Sequence, residues 1–113
     1  MQKNSVQTIN KWLVAANKGA VDEVSSFLDA GMDVNVANME GMTALIRSAF
    51  HGDVELVRLL LDAGAEIDAV DVNGNSAIWY AANKGHLDVV SRLLDLVAPE
   101  QRNRFAGQAL KVG

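Results

Sequence analysis

Leu59-Leu60-Leu61-Asp62-Ala63-Gly64-Ala65-Glu66-Ile67-Asp68-Ala69 decides the architecture, because an earlier stretch says nearly the same thing. That stretch is Phe27-Leu28-Asp29-Ala30-Gly31-Met32-Asp33-Val34-Asn35, with Phe27 standing 33 residues before Leu60. Working outward, the glycines at 19, 52 and 85 keep the same interval, as do Ala16, Ala49 and Ala82, and Val24, Val57 and Val90. A fixed period of this length marks stacked supersecondary units, none of which can bury its apolar face alone. The chain divides into units 8–40, 41–73 and 74–98, followed by a tail over 99–113.

Each unit reads as helix, turn, helix and protruding loop. Thr43, Ser76 and Asn10 occupy equivalent places, and all three residue types make good N-caps. A short first helix follows, carrying Leu45, Ile46 and Ala49, or Ile78, Trp79 and Ala82, and ends near Gly52 or Gly85. A second helix places Val54, Val57, Leu60 and Leu61 on one face, with equivalents Val21, Val24, Phe27 and Leu28, then Leu87, Val90, Leu93 and Leu94. Asn38-Met39-Glu40-Gly41 and Asp71-Val72-Asn73-Gly74 have the composition of type I turns. Trp12 aligns with Leu45 and Ile78, so core packing is expected of it.

These residues resemble the ankyrin repeat family. Gly41-Met42-Thr43-Ala44-Leu45 and Gly74-Asn75-Ser76-Ala77-Ile78 are similar to its G-x-T-P-L opening, and the stretch from Leu59 to Ala69 is similar to its closing stretch. The resemblance spans roughly residues 8 to 97. It implies an all-α solenoid of three ankyrin repeats, with a C-terminal capping helix or partial fourth repeat over 99–113. Two departures stand out. Alanines 44 and 77 replace the family's proline, a favourable first helical residue. Ile46 and Trp79 replace its usual histidine, so apolar packing is expected where that histidine supports a polar network.

Composition narrows the function. The 113 residues are 50% hydrophobic and 21% charged, which suits one folded domain rather than a disordered chain. A formal charge of −4 and the lack of a basic run argue against nucleic acid and against a membrane surface. With no cysteine there is no disulfide, thiol nucleophile or zinc thiolate site. Met1-Gln2-Lys3-Asn4-Ser5 leads into no apolar signal core, so a cytoplasmic location is expected.

No catalytic constellation emerges, and no cofactor or small-molecule substrate is expected. His51, Asp53 and Glu55 lie close together, as do His86 and Asp88. Yet Asp22, Glu55 and Asp88 recur at one repeat position, in the first turn of each second helix, where an acid stabilises the positive end of the helix dipole. Ser25, Ser26 and Ser91 have no paired base, and Ser76 reads as a cap. Asn38 and Asp71 read as turn initiators.

The resemblance implies a non-catalytic module that binds another protein on its concave side, towards which turns and first helices point in this family. It would act as an adaptor or an inhibitor. Met39, Met42 and Phe50 form an apolar centre there, since methionine adapts to varied partners and aromatic residues concentrate interface energy. Met42 and Phe50 have a second reading, packing on the neighbouring unit. Glu40, Arg47, His51, Val72, Asn73, Asn75, Tyr80, Asn83 and Lys84 make the polar rim, with Asn17 and Lys18 beside them on the first unit. A monomer is expected. Two other readings stand: a targeting portion of a larger enzyme or effector, and a structural element that self-associates through Phe105 and Leu110 at the C-terminal end.

Overall fold

The computed structural model describes residues 5–96. Six helices follow one another in pairs: α1 (Val6–Lys18) with α2 (Val21–Asp29), α3 (Ala44–His51) with α4 (Val54–Asp62), and α5 (Ala77–Asn83) with α6 (Leu87–Asp95). Among the described residues the only β pairing is an isolated antiparallel bridge between Val70 and Ser76. The fold is an all-α stack of three helix pairs, as the resemblance implies.

Helix starts follow local chemistry. Thr43 accepts from Ile46 N at 3.2 Å and Ser76 from Trp79 N at 3.3 Å, each occupying an amide that has no partner inside its helix. The first helix departs from expectation. Asn10 does not cap it; Ser5 does, accepting from Thr8 N at 3.1 Å, and Asn10 lies exposed inside α1. Residues 6–10 contain neither Gly nor Pro to hold the helix back. α1 is therefore 13 residues long, against 8 and 7 for α3 and α5.

Alanine lines the seam between first helices. Ala15, Ala16, Ala44, Ala49, Ala77 and Ala81 are all buried. Small side chains let α1, α3 and α5 approach closely, and these helices meet one another more extensively than α2, α4 and α6 do. The bulk of the core sits between the two rows: Trp12, Leu45, Ile46, Leu56, Leu60, Ile78 and Leu93 are fully buried. Trp12 packs edge-on against Phe27 at 5.8 Å, as a core residue should. Ile46, at the position of the family's histidine, is buried too, whereas Trp79 is only half-buried.

One apolar face differs from its sequence pattern. Leu87 was expected to pack, yet it is 73% exposed, and Val89 is the buried residue of that turn. Its equivalents Val21 and Val54 lie partly buried against the core, each in a pair that is followed by another. No described pair follows α6. The expected capping helix or partial repeat over 99–113, with Phe105 and Leu110, lies outside the described residues.

Candidate protein-binding surface

The hairpins between pairs are built by two side chains of one job. Asn38 Oδ1 accepts from Glu40 N at 2.9 Å and Met42 N at 3.0 Å. Asp71 Oδ1 accepts from Asn73 N at 2.9 Å and Asn75 N at 3.0 Å. Gly41 N and Gly74 N each donate back to the carbonyl three residues earlier, at 2.9 Å, which closes the expected turns. The two hairpins touch, with Val72 N donating to Glu40 O at 3.0 Å. Gly41 permits this contact. Its φ is +77°, and a Cβ there would lie 2.9 Å from Asp71 Cα and 3.0 Å from Val72 N.

Asp71 has a further partner. Its Oδ2 accepts from the Tyr80 hydroxyl, which ties the 71–74 hairpin to α5. Burial by itself raises the Asp71 carboxyl. The bonds from Tyr80 and from the N–H groups of Asn75 and Asn73 outweigh burial and hold it below its ordinary value. The same bond, helped by burial, pushes the Tyr80 hydroxyl above its ordinary range.

Turn tips and outward faces of the first helices form one strip. Met39 is 93% exposed and Val72 70%, and neither takes part in stacking the helices. Glu40, Asn73, His51, Asn83 and Lys84 are exposed, while Arg47, Phe50, Asn75 and Tyr80 are half-buried. Phe50 is the hub. Its ring meets Tyr80 edge-on at 5.7 Å and His51 at 5.1 Å, and Lys84 Nζ lies 4.7 Å from its centroid. Trp79 extends the aromatic group, 5.0 Å from Tyr80. Arg47 lines a shallow cavity of about 350 Å³ with Leu13, Val14, Asn17 and Asn38. Phe50 thus packs on the neighbouring helix, the second of its two expected readings, and stays half-buried.

Met42 does not belong to this strip. It is 8% exposed and joins the core cluster with Leu45 and Ile46, because the residue just after the turn points inward beneath the hairpin. Val6 is the residue that the sequence pattern should have supplied. It is 67% exposed and stands 33 residues before Met39. Starting the first helix at Asn10 hid it, although the repeat interval already pointed to it.

Histidines 51 and 86 act between pairs rather than as ligands. His51 Nε2 donates to Asn17 Oδ1 at 2.6 Å, and His86 Nε2 donates to Phe50 O at 3.0 Å. Both acceptors are carbonyl oxygens, so each Nε2 carries the proton. Asp53 caps α4 by accepting from Leu56 N at 3.1 Å. Among the described residues no group of His, Asp and Glu is arranged to hold a metal ion. Nor is any described helix long and apolar enough to cross a membrane.

A family model described as ankyrin repeats, three copies, matches residues 12–104. The chain belongs to the ankyrin repeat family. Ankyrin repeats are in general protein–protein interaction modules, and the family is typically non-catalytic. No curated protein matches the chain.

Proposed function

We propose that this ankyrin-repeat chain is a non-catalytic module that binds a partner protein through its hairpin tips and first helices. The division into units 8–40, 41–73 and 74–98 belongs to the same proposal. The observation that carries it is the exposure of Met39 and Val72 on two hairpins that touch each other, together with the half-buried ring of Phe50 on α3. Apolar side chains at these places add nothing to the helix stack and cost solubility, so a partner that covers them accounts for them. First helices meet one another more extensively than second helices do, which supports reading the strip as the concave side. A stack so held loses little conformational entropy on binding, and its rigidity suits an adaptor or an inhibitor that masks a partner's surface.

The test is capture of partners from the native source by wild type and by a Met39→Ser, Val72→Ser, Phe50→Ala variant. The variant must first retain its helical signal and melting behaviour. Met42 is left untouched, because truncating it opens the core. A protein held by wild type and lost by the variant supports the assignment. Equal capture by both removes the strip from the binding site.

A further inference from the structure

We infer that the strip recognises an acidic, extended segment of its partner, with carboxylates spaced about three residues apart. This inference rests on the binding-module reading above and adds the chemistry of the occupant.

Charge is sorted by helix row. No Asp or Glu occurs in α1, α3 or α5. Each of α2, α4 and α6 has an acid in its first turn and ends on Asp29, Asp62 or Asp95. A chain of net charge −4 therefore presents a first-helix face that is locally positive. Lys18, His51 and Lys84 stand in one row at the 33-residue interval, with Arg47 one turn before His51.

The helix dipole explains why cations sit near helix C-termini. It does not explain Arg47 in mid-helix, nor the want of partners. Among the described residues Lys18, Arg47 and Lys84 form no ion pair, and Lys84 rests on the Phe50 ring instead. The nearby Asp71 carboxylate is buried and taken up by Tyr80 and the turn amides. Glu40 remains as an exposed acid at a tip.

Geometry gives the spacing. Packed helices lie ~8–10 Å apart, so one side chain per unit recurs at that interval. An extended chain advances ~3.3 Å per residue, and every third side chain keeps step with the row. Carboxylates at those positions would meet Lys18 and Lys84 at the ends of the row and Arg47, one turn before His51, on the middle unit. Apolar residues between them would meet Phe50 and Tyr80, half-buried rings 5.7 Å apart on neighbouring first helices.

The test uses a fluorescein-labelled synthetic peptide of about ten residues, with Glu at every third position and Phe or Leu between. Three controls accompany it: Gln in place of Glu, the same residues shuffled, and a single-stranded oligonucleotide. Binding is read by anisotropy for wild type and for a Lys18→Glu, Lys84→Glu variant, each checked for unchanged helical signal. The spaced peptide is expected to bind roughly tenfold tighter than either peptide control and to weaken at least about tenfold on charge reversal. Its binding also falls as salt rises, since exposed charges are screened over ~10 Å at 0.1 M. Equal binding of spaced and Gln peptides overturns the inference, as does indifference to charge reversal or no binding at all. Equal binding of the shuffled peptide overturns the spacing, and tighter binding of the oligonucleotide replaces the acidic segment with a phosphate polyanion. Capture of a cellular partner that needs Met39 and Val72 but ignores the lysine reversals also overturns acid recognition, and leaves the module reading standing.

Discussion

Where the second helix pair meets the first, His51 donates to Asn17, and Asn35 reaches across the loops to Gly64 O and Glu66 N. Where it meets the third, His86 donates to Phe50 O, Phe50 packs on Tyr80, and Val72 N joins Glu40 O between hairpins. Both junctions obey one 33-residue interval and are sealed beneath by the same alanines. At their edges the first is closed by exposed polar side chains, and the second by rings and backbone. Exposed hydrogen bonds compete with water and contribute little net stability, while sheltered contacts are expensive to lose. The repeat pattern thus sets where units touch, and the residues that vary within it set how firmly.

The largest effect is expected where backbone meets backbone at the second junction. Gly41→Ala places a Cβ 2.9 Å from Asp71 Cα at a φ of +77°. A main-chain atom cannot swing aside as a side-chain tip can, so the two hairpins must part. A loss of about 2–4 kcal/mol is expected, from positive-φ strain together with overpacking. Urea denaturation measures it through the midpoint. A loss under about 1 kcal/mol would mean that the hairpin contact is not a fixed part of the second junction.

Next comes the bond that anchors the 71–74 hairpin to α5. Asp71→Asn keeps an acceptor for the turn but removes the charged partner of Tyr80, for an expected cost of about 1–2 kcal/mol at neutral pH. The folded pKa of Asp71 lies below its unfolded value, so the carboxylate stabilises the fold most fully above the unfolded pKa. That contribution fades as pH falls through the folded pKa. Wild type and variant should therefore converge in acid. A gap that persists unchanged to low pH would show that the charge is not what Asp71 supplies. Asn38, the uncharged equivalent in the 38–41 hairpin, caps its turn through the equivalent pair of amides, which makes Asp71 the more heavily used of the two.

Tyr80 reports on the same bond without perturbing it. It is the chain's one tyrosine, so the rise in ultraviolet absorbance on phenolate formation belongs to it alone. Its midpoint is expected above the ordinary ~10 and back towards it in Asp71→Asn. Equal midpoints in the two proteins would place Tyr80 and Asp71 apart in solution.

The interval of 33 made the stack legible in the sequence, along with its turns at Asn38 and Asp71, its caps at Thr43 and Ser76, and the burial of Trp12. Periodicity reports which positions are equivalent, and equivalent positions in a solenoid meet equivalent neighbours. It failed at the ends, where equivalence lapses. Val6 was missed and Asn10 misread because the cap of α1 is Ser5, five residues before the position equivalent to Thr43 and Ser76. Leu87 matches Val54 in sequence but not in surroundings. The candidate strip was legible as a set of positions, yet Met42 lay within the same segment as Met39 and belongs to the core. A turn reverses the direction of successive side chains over two or three residues, and composition carries no record of that. The links of Phe50 to Lys84 and of Tyr80 to Asp71 join residues that repeat logic treats separately, so only the packed structure brings them together.

The smallest effects compare the two histidines directly. His86 is half-buried and donates to a main-chain carbonyl, so His86→Ala is expected to cost about 1 kcal/mol. His51 is exposed, and water can replace it at Asn17, so His51→Ala should fall within about 0.5 kcal/mol of wild type. The short 2.6 Å contact at His51 looks the stronger of the two by distance alone, and exposure argues the reverse. Matched denaturation curves decide between them. A larger loss at His51 than at His86 would mean that the polar edge of the first junction carries more of the stack than its exposure allows, and the ranking of the junctions would then have to be reversed.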